Sequence, residues 1–489
     1  MAVRLIIKDE VNIKLENLPL EIRKKLVNTF KYEVPYARFL PHVKLGRGDG
    51  SKTLFGLGGN GYLNQLEKIL EILAKSNVEI DEIVDNRQSH KLIFNKVTTT
   101  YWADQNKCWP KGHRFEGQPI TLRDDQVEVV NRFLENPQSL QEVATGAGKT
   151  IMTATLAHLC EPYGRSIIIV PNKDLVTQTE EDFVNVGLDV GVYYGDRKMT
   201  GHTHTICTWQ SLNILDKKSK NWDEDLALSL AEFLDGVSTI IVDEVHQAKA
   251  EVLKNLLTQN LCNAPIRWGL TGTIPKEDWE AESIFISLGP VIGGISAHEL
   301  QEMGVLSNCH VNIKQLLDVK QFKSYSDELK YLVTDKSRMT FISNFVKIIA
   351  ETGNTLVLVN RIDSGEFLVE QLEDAVFISG KVTGTKRKEE YKEHATSDKK
   401  ITVATYGVAA VGINIPRIFN LVLLEPGKSF VRVIQSIGRG IRKAEDKDFV
   451  QIWDLTSTCK YAKRHLTERK KYYTEAKYPF TIEKIDWQK

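Results

Sequence analysis

The chain has 489 residues, in which 64 Lys and Arg balance 64 Asp and Glu and 42% of positions are hydrophobic. This length exceeds what one core organises and points to about three domains, while the ordinary hydrophobic and charged content excludes a disordered or fibrous chain. Zero net charge excludes a uniformly basic coat, so any nucleic-acid site must be a localised groove. Cys108, Cys160, Cys207, Cys262, Cys309 and Cys459 are scattered without a Cys-x-x-Cys spacing, which fits reduced, mostly buried thiols better than a disulfide framework or a zinc site. Charge interrupts the first eight residues too soon for a signal peptide, and no run of about eighteen apolar residues could span a bilayer. A cytoplasmic protein with no membrane partner is expected.

Residues 4–8 and 11–14 read as a hairpin and 62–74 as a helix, giving a small α+β domain up to residue 115. Its loop 39–50, with Lys44, Arg47 and nearby Tyr36, Phe39 and Lys52, is either a basic solvated turn or a surface that contacts phosphate and stacks on bases. From about residue 126, short apolar runs alternate with longer amphipathic segments, the pattern of a parallel α/β sheet. Strands are expected at 166–170, 239–242, 355–359, 401–404 and 421–424, and helices at 174–186 and 336–350. Gly289-Pro290 and Gly293-Gly294 suit a connection between two strand sets. The expected domains are 1–115, 116–305 and 306–460, followed by a tail at 461–489. That tail either caps the fold with Tyr472, Tyr473 and Trp487 or extends a nucleic-acid path.

Chemistry concentrates first at residues 143–150, Val-Ala-Thr-Gly-Ala-Gly-Lys-Thr. Thr145, Gly146, Ala147 and Gly148 form a turn whose backbone N–H groups can cradle phosphates at a helix start. Lys149 would pair with the β- and γ-phosphates and the Thr150 hydroxyl would bind Mg²⁺. A carboxylate pair follows at the end of an apolar run: Asp243 would hold Mg²⁺ and Glu244 would orient and deprotonate the attacking water. His246 could link this box to a neighbouring element. In the segment 435–442, Arg439 and Arg442 lie three apart, on one side of a helix, where either could stabilise charge developing during phosphoryl transfer.

In this order the segments resemble those of the superfamily 2 helicases and translocases, over about residues 120–455. The resemblance implies two tandem RecA-like parallel-sheet domains behind the N-terminal α+β domain, with ATP and Mg²⁺ as cofactors. It implies adenine recognition by Arg123 and Gln126, further nucleotide contacts by Gly412, Asn414 and Gln435, and coupling through His246, Thr271, Gly272 and Thr273. Nucleic acid would be gripped by Pro171, Asn172, Gln178, Thr208 and Gln210 in one domain and by Asn360, Arg361, Gly380 and Thr405 in the other. Asn414 departs from relatives whose aspartate there contacts the ribose, and His246 excludes the strict Asp-Glu-Ala-Asp group. The loop 39–50, the Thr-Trp-Gln at 208–210, the connector 300–306, Lys336-Ser-Arg338 and Ile452-Trp-Asp454 look similar to phage branch-migration and fork-remodelling helicases. That implies 3′ to 5′ translocation on single-stranded, forked or four-way DNA, beside replication or recombination proteins. The alternatives are an RNA helicase of the Asp-Glu-x-His type and the duplex-DNA motor of a restriction or defence system; no Asp…Glu-x-Lys nuclease motif is evident.

Overall fold

The computed structural model describes residues 2–34, 37, 41–46, 48–113, 115–221, 228–247, 250–275, 278–380, 389–390, 392–394, 396–408 and 417–488, with backbone alone at 42, 247, 250, 430–432, 435 and 439. They form two compact units, Met1–Val143 with Gly148–Gly294, and Ala144–Ala147 with Ile295–Lys489. Among the described residues no helix is long and apolar enough to cross a membrane.

Strands β1 (Arg4–Ile7) and β2 (Asn12–Glu16) form the expected hairpin, with Leu5 opposite Leu15 and Ile7 opposite Ile13. Alternate residues are buried, so the hairpin offers one apolar face. A separate ribbon pairs β3 (Lys31–Glu33) with β4 (Ser51–Thr53), while β5 (Asn60–Tyr62) and β6 (Glu82–Asp85) complete a sheet of order β5-β2-β1-β6. The expected helix is Leu66–Lys75, entered by a 3-10 turn at Leu63–Gln65. Its Ile69 and Leu73 share one core with Phe30, Phe55 and the Trp279 and Ile286 of the helix Asp278–Leu288. Because that core is shared, the segment read as a separate domain at 1–115 folds into the first unit. Tyr36, Phe39 and Arg47 of the basic loop lie outside the described residues.

The main sheet of the first unit comprises β7 (Gln138–Val143), β8 (Arg165–Val170), β9 (Val190–Tyr194), β10 (Arg197–Lys198), β11 (His204–Thr208), β12 (Val237–Asp243), β13 (Ile266–Thr271) and β14 (Val291–Ile295). Their order is β10-β9-β11-β8-β12-β13-β7-β14, and β7, β8, β9, β11, β12 and β13 pair in parallel. Consecutive residues of β8 and β11 are buried, as a sheet covered on both faces requires. The Gly-rich stretch read as a connection between the two strand sets forms the edge strand β14, and the division between the units falls within it, at Gly294–Ile295. A Cβ on Gly294 would stand 2.0 Å from the Glu142 carbonyl oxygen, so glycine serves backbone approach there.

The second unit is built on β15 (Asn308–Leu316), β16 (Thr355–Val359), β17 (Val376–Ile378), β18 (Ile401–Thr405), β19 (Asn420–Leu424), β20 (Phe449–Ser457) and β21 (Phe480–Ile485). The order is β17-β18-β16-β19-β20-β15-β21 and all pairings are parallel, which places every carboxyl end on one edge. The unit begins at Ile295, ahead of the expected boundary at 305. The C-terminal residues do not trail away from the fold. Tyr473 of the helix Lys460–Glu475 is fully buried, Trp487 packs on the core, and β21 pairs with β15.

Candidate nucleotide and nucleic-acid site

Strand β7 delivers the phosphate loop to the helix Lys149–Cys160, whose first turn carries no acidic residue. Gly146 and Gly148 both lie in the left-handed region, at φ 94° and 82°. A Cβ at Gly148 would stand 2.6 Å from the Gln126 Nε2 atom, so the loop backbone and the expected adenine-side glutamine are in close contact. Gln126 is buried and its Oε1 accepts the Arg123 backbone N–H at 3.0 Å, capping the helix Asp124–Glu135. Arg123 is itself held by Asp125 through two bonds of 2.8 Å. The glycine-lined turn, the helix N-terminus and the adjacent lysine fit a nucleoside triphosphate.

Lys149 donates to Glu244 Oε1 at 2.7 Å, and both side chains are less than a tenth exposed. Glu244 adopts φ +50° directly after β12, a strained conformation that turns its carboxylate back into the unit. From this pair a polar chain runs on. Glu244 Oε2 accepts the Gly272 N–H at 3.4 Å and lies 3.6 Å from His246 Nδ1, and that nitrogen is 2.6 Å from the Thr271 hydroxyl. Thr271 in turn donates to the Thr273 carbonyl at 2.7 Å. The lysine, the carboxylate box and the Thr-Gly-Thr segment, far apart in sequence, thus form one connected cluster. Mg²⁺ binds through one or two protein oxygens, phosphates and water rather than a protein cage, and Thr150 with Asp243 supplies such a set. Among the described residues no group of three or more His, Cys, Asp or Glu side chains could hold a metal ion.

Sequence reading missed Asp182, on the helix Lys173–Asn185, which hydrogen-bonds Thr150. Burial pushes its carboxyl up to about 6, with Glu181 adding to the rise. Only its helical register with buried Thr179 and Phe183 could have suggested an inward position.

The expected nucleic-acid residues of the first unit gather at the carboxyl ends of β8 and β11, adjacent parallel strands in which Val170 faces Thr208. Asn172 caps the helix Lys173–Asn185 by accepting the Leu175 N–H, and Thr208 caps the helix Trp209–Lys220. Gln210 ties the two segments together by donating to the Pro171 carbonyl at 3.0 Å. Gln178 is half-buried one turn further along. In the second unit, Asn360, Gly380 and Thr405 lie at the ends of β16, β17 and β18. Asn360 donates to the Glu425 carbonyl at 2.6 Å, and Arg361 is exposed beside Asp363. Beneath Glu425, wholly buried Arg338 pairs with it at 2.9 Å and with Asp318 at 3.2 Å, an anchor that sequence reading did not identify.

Arg442 follows the helix Phe430–Gly440, in a backbone bridge with Leu306. Gln435 and Arg439 lie on that helix with backbone alone described, and Gly412 and Asn414 fall outside the described residues.

Residues 119–276 match the family model described as the res subunit of type III restriction enzymes, and residues 338–444 match the helicase conserved C-terminal domain. The chain is 24% identical over 474 residues to the ATP-dependent DNA helicase uvsW of Enterobacteria phage T4, covering 92% of this chain and 89% of that one. It is 29% identical over 185 residues to the DNA 3′-5′ translocase XPB2 of Sulfurisphaera tokodaii, covering 37% of each. The fold superposes with a TM-score of 0.57 on the ATP-dependent type ISP restriction-modification enzyme LlaBIII bound to DNA, at 14% identity, over 87% of this chain and 36% of that one.

Proposed function

We propose, from the premise that this chain belongs to the superfamily 2 helicases and is an ATP-driven DNA helicase, that it remodels forked and four-way DNA by 3′ to 5′ translocation in the cytoplasm. The observation that carries the ATP site is the buried Lys149–Glu244 pair and its connection through His246 to Thr271. Lys149 trades its carboxylate partner for the β- and γ-phosphates, which frees Glu244 to orient and deprotonate the attacking water. Thr150 and Asp243 would hold Mg²⁺, which when bound would supply charge neutralisation at the phosphates. Arg123 and Gln126 orient the adenine, while Arg439 and Arg442 offset charge developing on the γ-phosphate.

Glu244 touches both His246 and the Gly272 N–H. A change in its partner therefore reaches the Thr-Gly-Thr segment directly, which is the basis for coupling hydrolysis to strand movement. The gripping residues at the carboxyl ends of β8, β11, β16, β17 and β18 take phosphates without reading bases, so binding depends on salt and little on sequence. Support for branched DNA comes from the resemblance of segments 39–50, 208–210, 300–306, 336–338 and 452–454 to phage fork-remodelling helicases, and support for direction from the likeness to a protein described as a DNA 3′-5′ translocase.

Hydrolysis measured with no polymer, single-stranded DNA, duplex DNA, a four-way junction and RNA, with Lys149→Ala as control, tests the reading. Greatest stimulation by the junction supports it. Stimulation by RNA alone would assign an RNA helicase, and by plain duplex alone a restriction-type motor, to which the first family model and the LlaBIII fold also bear likeness.

A further inference from the structure

The second unit carries a concentration of positive charge that the site described above does not use. The chain as a whole is neutral, yet the helix Lys460–Glu475 holds six Lys and Arg against two Glu. Its inward face, Ala462, His465, Leu466, Arg469 and Tyr473, is buried, and Arg469 is neutralised there by Asp454 at 2.8 and 2.9 Å. The outward face of the first two turns is Lys460, Lys463, Arg464 and Thr467, all exposed at i, i+3, i+4 and i+7. Buried Glu328 already accepts the Tyr461 and Ala462 N–H groups at 3.0 and 2.7 Å, so the side of the helix rather than its end is available to an anion.

Two half-buried tyrosines on one flank of this face hold further lysines beside it. Tyr461 donates to the Lys323 carbonyl and Tyr472 to the Lys428 carbonyl, each at 3.0 Å, and both lysines are exposed. Among the described residues, none of Lys323, Lys428, Lys460, Lys463 and Arg464 is ion-paired. From Tyr461 to Tyr472 the helix rises about 16 Å, at about 1.5 Å per residue. With one phosphate per about 3.4 Å on each duplex strand, that is room for four or five phosphates.

Strand order connects this face with the strand-gripping edge. Lys428, Lys460 and Lys323 follow β19, β20 and β15, the first, second and third strands beyond β16 in the sheet order, and so lie on the carboxyl edge that carries Asn360, Arg361, Gly380 and Thr405. We propose that the basic face of the helix Lys460–Glu475, with Lys323 and Lys428, is a second DNA-phosphate surface that carries a duplex arm of the branched substrate. The inference rests on the reading that Asn360 and Arg361 grip the translocated strand.

Affinity is measured by fluorescence anisotropy for a fork and for a single strand of equal unpaired length, across a salt series. In Lys460→Gln/Lys463→Gln/Arg464→Gln, fork affinity falls about tenfold or more and the slope of log K against log salt becomes shallower by about 2.7, at about 0.9 per phosphate contact. Single-strand affinity changes by less than about twofold. The pair Lys323→Gln/Lys428→Gln, off the helix, gives an independent reading, with an expected loss of about 1.8 in slope. Unchanged fork affinity and slope in both variants overturns the proposal, as does equal loss for fork and single strand. Arg361→Ala run in parallel separates the two readings: if it abolishes single-strand binding while the glutamine variants keep the fork preference, strand gripping stands and the second surface falls.

Discussion

Replacing Lys149 by Met tests whether the phosphate loop is closed by an internal ion pair before nucleotide arrives. The two side chains are 9% and 5% exposed and meet at 2.7 Å. Glu244 also meets the Gly272 N–H at 3.4 Å and His246 at 3.6 Å, both longer contacts than the one to the ammonium. Lys149→Met removes the ammonium 2.7 Å from a buried carboxylate, at a cost of about 3–5 kcal/mol. For a unit of this size, that lowers its Tm by about 6–10 °C, at about 2 °C per kcal/mol. Glu244→Gln strands a buried ammonium and costs a similar amount. The double variant leaves neither charge and should recover most of the loss, giving a coupling energy of about 3 kcal/mol by calorimetric unfolding of all four proteins. All three variants should lack ATP hydrolysis. Single losses that add to within about 0.5 kcal/mol would refute the internal pair.

Gly148→Ala forces a side chain into φ 82° and against Gln126, so ATP affinity by fluorescent-nucleotide titration should fall at least tenfold with the melting profile of the second unit unchanged. Arg338→Met leaves Asp318 and Glu425 as uncompensated buried carboxylates and should destabilise the second unit by about 3–5 kcal/mol in urea unfolding; Arg338→Met/Glu425→Gln should be less harmful than the single change. His394 is wholly buried on Thr402, and burial, with nearby Lys400, Arg417 and Lys447, depresses it to about 3. The unfolded chain therefore takes up that proton first, and stability falls as pH drops below about 6.5, by up to about 1.4 kcal/mol per unit, until about pH 3. His394→Gln should remove that share of the slope in urea titrations between about pH 4 and 7, and should change nothing above it.

Much of the site was legible in the sequence because its signals are local. The glycines at 146 and 148 announce a turn with positive φ, and the apolar runs before Asp243, Pro171 and Asn360 announce strands whose carboxyl ends carry polar residues. These expectations coincide with β12, β8 and β16 to within a residue or two. The capping roles of Asn172 and Thr208, which the sequence reading did not assign, also act over only a few residues. By contrast, spacing alone could not show that the glycines at 289–294, read as a connection, also form an edge strand lying against β7.

What the sequence by itself determined is therefore a glycine-rich loop before Lys149, a carboxylate box, and two sets of parallel strands whose ends carry the residues proposed to grip nucleic acid. Tertiary structure alone decided the partners. Lys149 meets Glu244 across 95 positions, Arg338 meets Glu425 across 87, and the C-terminal β21 pairs beside β15 rather than trailing from the fold. The physical reason is one of range. Turn preference and periodicity act over a few residues, whereas the pairing and burial of charges depend on which strands become neighbours.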